Sequence, residues 1–209
     1  MIFLIKELNH ILVNYTYITE GGLSMNSDLS HLILRETALK DGKKLTVRIP
    51  EVEDAEEMVE YCNTVGGESD NLTFGKNEFH LNVEQEEEYI RNLKNNQNSL
   101  TILGIVDNTI VSMANIVGLK KKRFVHNSEI GISVRKDYWK NGIGSIMMEE
   151  LIKFAKEKGM RNISLGVRAD NKNAIKLYEK FGFQQVGLHK DYFNINGVFY
   201  DEILMDLYI

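Results

Sequence analysis

Residues 128–145 (SEIGISVRKDYWKNGIGS) hold the spacing that best supports chemistry in this chain. Branched residues alternate in the first half, which predicts a strand, and Gly142 and Gly144 stand where a long amphipathic helix begins. The first N–H groups of a helix lack partners within it, and the helix dipole adds positive charge there. Glycines remove the side chains that would keep a ligand away. The segment predicts an anion site, usually for phosphate, unless the glycines serve only a tight turn.

Two common phosphate motifs do not fit this turn. A P-loop would need a lysine followed by Ser or Thr, and a dinucleotide fingerprint would need a third glycine where Met147 stands. The turn is similar to the acetyl-CoA signature of the GNAT superfamily of N-acetyltransferases, Gln/Arg-x-x-Gly-x-Gly/Ala. Gly142 and Gly144 match this signature, whereas Trp139 stands where Gln or Arg is commonest. An aromatic residue there resembles the ribosomal-protein branch of the superfamily, and residues 191–207 resemble the C-terminal segment of the ribosomal-protein and small-amine branches.

A second block, residues 163–183 (ISLGVRADNKNAIKLYEKFGF), strengthens the resemblance. Its second half has apolar residues at helical spacing, after an Asp-Asn pair suited to helix capping. The superfamily pattern Asn-x-x-Ala-x-x-Leu-Tyr-x-x-x-Gly-Phe is matched at Asn171, Ala174, Leu177, Tyr178, Gly182 and Phe183. Two blocks in the correct order are more specific than either alone, and the resemblance extends over about residues 44–209.

Composition limits the other classes of function. The 209 residues suffice for one domain with a sizeable core, and the net charge of −5 indicates no broad basic face for nucleic acid. Cys62 is the only cysteine, which fits a reducing cytoplasm, and the five histidines lack metal-ligand spacing, so we expect no metal. The basic run 120–123 is read as an exposed turn; the alternative is a contact with the cofactor's 3′-phosphate or with an acidic acceptor.

The first 24 residues are too short and too charged to span a membrane, and they lack the features of a secretion signal. The codons of Glu20-Gly21-Gly22 could spell a bacterial ribosome-binding sequence ahead of Met25. Two interpretations stay open: a natural start at Met25, with residues 1–24 an annotation extension, or a genuine N-terminal arm. We predict an N-terminal extension over residues 1–40 and a single N-acetyltransferase domain over residues 41–209.

The remaining pattern predicts the elements that position these motifs. Predicted strands cover residues 44–48, 100–106, 110–117, 128–134, 163–167, 184–195 and 198–208, and predicted helices cover 54–61, 83–93, 142–158 and 171–181. Residues 63–75 read as a loop, and Asp107-Asn108 and Asn196-Gly197 each read as a hairpin turn. The glutamates at 84 and 86–88 are expected on a solvated helix face, or as an attraction for a cationic acceptor. The fold class is α+β: a GNAT-like mixed, mostly antiparallel central sheet flanked by helices and splayed at the acetyl-CoA site.

The resemblance implies direct transfer of an acetyl group from acetyl-CoA to a primary amine. It assigns the oxyanion donor to the backbone N–H of Val134 and the proton donor for the leaving thiolate to Tyr178. Tyr178 also lies on an apolar helix stripe, where a core tyrosine would look the same. Glu129 is the candidate base that deprotonates the amine; the alternative is a solvated glutamate at a strand edge.

The resemblance also implies the binding residues. The expected cofactor contacts are Ile132, Val134, Trp139, Lys140, Asn141, Gly142, Ile143, Gly144, Ser145, Asn171, Asn173 and Tyr178. For Asn171 and Asn173 the alternative is helix capping. The expected acceptor contacts are Tyr192, Tyr200 and Asp201, although Asp201 could equally fix the hairpin.

The acceptor itself stays open among a protein N-terminal amine, a polyamine, an amino acid and an aminoglycoside. We expect no nucleic acid or membrane as a partner, and the resemblance leaves a homodimer open. Two other classes remain: a non-catalytic acetyl-CoA-binding sensor or partner module, and a protein that binds a different anionic nucleotide at the glycine turn.

Overall fold

The computed structural model describes residues 33–93 and 95–209. The helices and strands of this part are, in chain order, β1 (Ile33–Ala38), β2 (Lys44–Arg48), α1 (Ala55–Glu68), α2 (Val83–Leu93), β3 (Ser99–Val106), β4 (Thr109–Gly118), β5 (Asn127–Val134), α3 (Ile143–Glu157), β6 (Asn162–Arg168), α4 (Lys172–Lys180), β7 (Gln184–Ile195) and β8 (Val198–Tyr208). Short 3₁₀ turns precede α1 and α3.

The strands form one sheet in the order β1-β2-β3-β4-β5-β6-β8-β7. Its neighbours are antiparallel except β5 and β6, which are parallel and joined through α3. These two strands pair over a short stretch, from Asn127 opposite Asn162 to Glu129 opposite Ser164. Their remaining lengths are not paired with each other, which leaves a split in the middle of the sheet. The predicted fold class, including the splayed strands, is confirmed.

Two hydrophobic cores cover the two faces of the sheet. Ile102 and Leu103 are neighbours on β3 yet belong to different cores, as strand alternation requires. The first core packs α3 and α4 on one face and includes Leu45, Ile102, Ile116, Met147, Leu151, Ile163 and Tyr178. The second packs α1 and α2 on the other face and includes Met58, Cys62, Ile90, Leu103 and Met113.

Both predicted hairpin turns form. Asp107 and Asn108 join β3 to β4 with φ of 50° and 60°, and Asn196 and Gly197 join β7 to β8 with φ of 52° and 84°. Two consecutive positive φ values give the turn that matches the twist of the flanking strands. The basic run 120–123 lies, as expected, in an exposed turn between β4 and β5.

Helix α1 is longer than predicted. It continues to Glu68, through Gly66 and Gly67, which we expected to lie in a loop. A Cβ built at Gly66 would lie 2.9 Å from the carbonyl carbon of Gly75, closer than real Cβ atoms approach. Gly66 therefore serves close packing between the helix and the loop that follows, so its presence does not mark the end of the helix.

The expectation of a solvated glutamate face on α2 is wrong at one position. Glu86 is fully buried, and its two carboxylate oxygens have no hydrogen-bond partner. It lies one turn before the buried Ile90, on the side of α2 that packs in the second core. Burial disfavours the charged form and raises the pKa of Glu86 to about 7.

The sheet begins before the predicted domain boundary at residue 41. Strand β1 pairs antiparallel with β2 from Ile33 opposite Arg48 to Ala38 opposite Lys44, so it is part of the folded unit. The two interpretations of residues 1–24 concern a segment outside the described residues. Within residues 33–93 and 95–209, no helix has the length and apolar character needed to cross a membrane.

Candidate functional site

A cavity of about 480 Å³ occupies the split between β5 and β6. One wall is the unpaired end of β5 with the turn that starts α3, and the other is the end of β6 with the start of α4. The loop after α1 supplies further lining through Ser69, Asn71, Leu72 and Thr73. The two sequence blocks therefore meet across one cavity.

The glycine turn presents an open helix end to this cavity. Lys140 and Gly142 adopt left-handed φ values of 65° and 91°. Hydrogen bonding along α3 starts with the N–H groups of Ser145 and Ile146, which both bond the Gly142 carbonyl oxygen at 3.0 and 3.2 Å. The earlier N–H groups of a helix have no partner within it and carry the positive end of the dipole. The turn is thus arranged to accept an anion.

Gly144 has a packing role as well. A Cβ at this position would lie 3.1 Å from Cδ2 of Leu177 on α4. The glycine lets the first turn of α3 approach α4 closely, which brings Tyr178 to the same cavity.

The unpaired edge of β5 offers backbone groups to the cavity. The N–H of Arg135 donates to the Val111 carbonyl oxygen of β4 at 2.9 Å. Because successive backbone groups of a strand point to opposite sides, the N–H of Val134 and that of Ile132 point into the split. The Val134 carbonyl oxygen accepts from Nε1 of Trp139 at 2.7 Å, which ties the glycine turn to the strand.

Tyr178 lines the cavity and is 8 % exposed. Burial raises the pKa of its hydroxyl to about 12, so the hydroxyl stays protonated at neutral pH. Its ring also packs against Phe183, with ring centroids 5.9 Å apart. A core role and a proton-donating role are therefore compatible in this residue.

Most of the predicted cofactor contacts come together at the cavity. Those that line it are Ile132, Val134, Trp139, Lys140, Gly142, Ile143, Gly144, Ser145, Asn171, Asn173 and Tyr178. Asn141 does not line it: its Nδ2 donates to Oδ2 of Asp41 at 3.3 Å. Asn171 also caps α4, because its Oδ1 accepts from the N–H of Ala174 at 3.2 Å.

Arg168, at the end of β6, lines the cavity and was missed by the sequence reasoning. Its guanidinium makes two hydrogen bonds to the Asp170 carboxylate, at 2.6 and 2.7 Å, and a third to the Asp70 carbonyl oxygen at 2.8 Å. The Arg168 guanidinium holds the pKa of Asp170 below its usual value. It also lies 4.1 Å from the ring centroid of Tyr200. The Arg-x-Asp spacing within the second block was the available signal for this residue.

Glu68 is a second lining residue that sequence reasoning missed. Its Oε2 accepts from the N–H of Lys136 at 2.6 Å, and its Oε1 lies 3.3 Å from Nε of Arg135. These contacts fix the end of α1 to the turn that follows β5. Since the sequence predicts α1 to end earlier, nothing in its pattern placed Glu68 here.

The predicted acceptor residues Tyr192, Tyr200 and Asp201 lie on the last hairpin, and none of the three lines the cavity. Tyr200 stacks on Arg168, and Tyr192 stacks on His189 with ring centroids 5.1 Å apart. Asp201 accepts from the N–H of Asp191 at 2.9 Å, which supports the interpretation that it fixes the hairpin. From this hairpin, Phe193 reaches the cavity lining.

Glu129 is the last residue of β5 that pairs with β6, where it lies opposite Ser164, and it lies opposite Val117 of β4 on the other side. The cavity lining on β5 begins at the next residue, Ile130. In the two described ranges, no cluster of three or more His, Cys, Asp or Glu side chains is placed to hold a metal ion.

A helix N-terminus and a free strand edge in one split suit a ligand that carries both phosphates and amide groups. Comparison with known proteins identifies the family to which this α+β fold belongs. The chain belongs to the acetyltransferase (GNAT) family, whose model matches residues 70–183.

Three similar proteins illustrate the relationship. A GNAT-family acetyltransferase structure from Streptococcus pneumoniae is 32 % identical, with a TM-score of 0.76 over 79 % of this chain and 99 % of that one. The [ribosomal protein bS18]-alanine N-acetyltransferase of Escherichia coli K12 is 36 % identical over 76 residues, 36 % of this chain and 51 % of the relative. The L-amino acid N-acetyltransferase AaaT of the same strain is 34 % identical over 107 residues, 50 % of this chain and 65 % of the relative. The chain thus spans about half the length of the curated relatives it matches.

Proposed function

We propose that this chain is an acetyl-CoA-dependent N-acetyltransferase that moves an acetyl group to a primary amine by direct attack on the thioester. The observation that carries the proposal is the cavity in which the open end of α3, the free edge of β5 and the hydroxyl of Tyr178 meet. Membership of the GNAT family and the names of the relatives support it. The intact Tyr178 favours an enzyme over a non-catalytic sensor or partner module.

The cavity residues fit acetyl-CoA. The N–H groups of Gly142, Ile143 and Gly144 at the start of α3 would take the pyrophosphate, as helix N-termini commonly do. The N–H and carbonyl groups of Ile132, on the edge of β5 that faces the split, would pair with amide groups of the pantetheine arm. Bound acetyl-CoA supplies the activated acetyl thioester.

Two groups of the chain would then assist transfer. The N–H of Val134 points into the split and would donate to the carbonyl oxygen as negative charge develops on it, which is the role of a preset oxyanion donor. The Tyr178 hydroxyl, kept protonated by its raised pKa, would donate a proton to the leaving sulfur. From the sequence, Glu129 is the candidate base for the amine.

The acceptor side lies between the loop after α1 and the last hairpin. Arg168 links both parts, because it bonds the Asp70 carbonyl oxygen and stacks on Tyr200. The acceptor class in this proposal is a small-molecule amine or a protein N-terminal amine, with Tyr192, Tyr200 and Asp201 on its side of the cavity. We further propose that residues 41–209 act as one catalytic domain in the cytoplasm, without a nucleic-acid or membrane partner. The protein would act as a monomer or as a homodimer.

Calorimetry of the purified chain with acetyl-CoA, with ATP and NAD as controls, tests the cofactor. Gly142→Ala and Gly159→Ala form a matched pair, because both glycines flank α3 with positive φ and have no atom within 4 Å of a built Cβ. We expect both variants to lose some stability, but only Gly142→Ala to weaken acetyl-CoA binding, by about tenfold. An alanine at 142 opposes the left-handed turn that exposes the first N–H groups of α3, at a cost of about 1–2 kcal/mol.

Release of free CoA in the presence of a panel of primary amines then tests catalysis. Binding of acetyl-CoA without transfer to any amine would favour the sensor module. ATP or NAD binding in preference to acetyl-CoA would contradict the proposal at its first step.

A further inference from the structure

Glu202 of β8 is a carboxylate that the function proposed above does not use. It is 3 % exposed, although it lies next to the cavity. In the sheet it is opposite Arg168 of β6 on one side and His189 of β7 on the other. A buried carboxylate beside the site of an amine reaction needs a physical reason.

Gly166 of β6 makes room for this carboxylate. A Cβ built at Gly166 would lie 2.7 Å from Cδ of Glu202 and closer still to its Oε1. The carboxylate therefore occupies the space that any side chain at position 166 would take. Both Gly166 and Arg168 line the cavity, so Glu202 lies directly behind a part of the wall that has no side chain.

Glu202 and Tyr178 lie on opposite faces of the split sheet. Leu165 and Val167 of β6 belong to the same core as Tyr178. Because side chains alternate along a strand, the residue between them, Gly166, faces the other side, where Glu202 lies. An amine acetylation needs a proton removed from the nitrogen on one side of the thioester and a proton delivered to the sulfur on the other.

His189 connects the carboxylate to solvent. Its Nδ1 lies 2.9 Å from Oε2 of Glu202, and its side chain is 51 % exposed. Stacking on Tyr192 holds the imidazole in this position. A proton received by Glu202 can therefore leave through His189 without crossing the core.

We propose that Glu202 is the base that takes a proton from the acceptor ammonium and that His189 is its positioning residue and proton outlet; this rests on the function proposed above. Glu202 removes one proton, which leaves through His189 to solvent, and the nitrogen lone pair forms the C–N bond. As the C–S bond breaks, its electron pair stays on sulfur. The sulfur takes the proton donated by Tyr178, and the second proton lost by nitrogen restores the tyrosine hydroxyl. The products are the amide, free CoA and one proton.

The geometry favours Glu202 over Glu129 for this role. Glu129 lies in the paired part of β5, between Val117 and Ser164, and the cavity lining starts after it. Glu202 instead stands behind a lining glycine, at the part of β6 that does not pair with β5.

The test compares Glu202→Gln, which keeps size and hydrogen bonding, with wild type and with Asp206→Asn. Asp206 is a matched control because it lies on the same strand and the same face as Glu202. It is opposite Ser164, at the end of β6 that pairs with β5. An alanyl peptide, putrescine and leucine are first tried as acceptors with the wild type. For each amine that the wild type acetylates, release of CoA from acetyl-CoA is then measured between pH 7.5 and 10. Arg168 and His189 face Glu202 from the two neighbouring strands.

We expect Glu202→Gln to lower kcat/KM for the amine about 100-fold at pH 7.5, in the range of general base catalysis, with acetyl-CoA affinity within twofold of wild type. This loss of kcat/KM becomes smaller toward pH 10, because a larger share of the amine is then already deprotonated in solution and needs no base. Gly166→Ala keeps the carboxylate but displaces it, and should give the same pH pattern. His189→Asn should give a smaller loss, about tenfold.

Three results would overturn the proposal. The first is a transfer rate of Glu202→Gln that equals the rates of the wild type and of Asp206→Asn at every pH. The second is a loss that does not change with pH and accompanies a lower Tm, which indicates a structural role. The third is a pH-dependent loss in Glu129→Gln and not in Glu202→Gln. An absence of transfer by the wild type itself would instead refute the proposed function, and this inference with it.

Discussion

The burial of Glu86 leads to a prediction that does not depend on the function. Its carboxylate is fully buried without a hydrogen-bond partner, and its pKa rises from 4.5 to about 7. Between these two pH values the folded chain holds a proton on Glu86 that the unfolded chain has lost. The free energy of unfolding therefore falls as the pH rises from about 4.5 to about 7, and levels off above that.

The size of the effect follows from the two pKa values. Their difference corresponds to about 3 kcal/mol, at about 1.4 kcal/mol for each pH unit. Glu86→Gln removes the titration but keeps the shape of the protonated side chain. We expect the variant to match wild type near pH 4.5 and to be more stable by about 3 kcal/mol at pH 8, a rise in Tm of roughly 6–12 °C for a chain of this size.

Urea unfolding of wild type and Glu86→Gln across pH 4.5–8 measures this difference. Taking the difference at each pH cancels the titration of other groups. Glu84→Gln is the matched control, because Glu84 lies on the same helix but is exposed. A difference between Glu86→Gln and wild type that stays constant with pH would show that this carboxyl titrates as it does in the unfolded chain, and would refute the reasoning.

Three further predictions concern the site and the loop beside it. Tyr178→Phe should lower kcat by about 10²–10⁴-fold while acetyl-CoA affinity, measured by calorimetry, changes less than twofold; an unchanged kcat would contradict its role as proton donor. Asn171→Asp should preserve the cap of α4 and the Tm, because aspartate caps helices equally well, but weaken acetyl-CoA binding through repulsion of the phosphates. A loss of Tm in Asn171→Asp that accompanies the weaker binding would contradict separate roles of Asn171 in capping and in cofactor binding. Gly66→Ala should lower the Tm by several degrees, since overpacking against Gly75 costs about 1–3 kcal/mol; an unchanged Tm would exclude the close contact.

The strongly patterned parts of the fold were predictable from the sequence. The strand before the glycine turn, helices α2 and α3 and the last hairpin form within one or two residues of their predicted bounds. Their signals are local: alternation, helical spacing, a cap and a turn that needs positive φ. Strand β1 was missed because we assigned its residues to an N-terminal extension.

Burial and long-range contacts were not predictable in the same way. The sequence places Glu86 in a run of glutamates that looks solvated, and only the packing of α2 in the second core buries it. In the sequence Gly66 reads as part of a loop, and only the structure shows Gly75 packed against it. In both cases the decisive neighbour comes from another element.

By itself the sequence determined the two motifs and their order, and with them the class of fold and the glycine turn before α3. These features depend on residues that are close together in the chain. Only the tertiary structure decided which carboxylate stands behind the cavity. Glu202 is separated from Gly166 by 36 positions, and they meet because β8 pairs with β6. A contact between paired strands depends on register and on the space a missing side chain leaves, and neither is written in local periodicity.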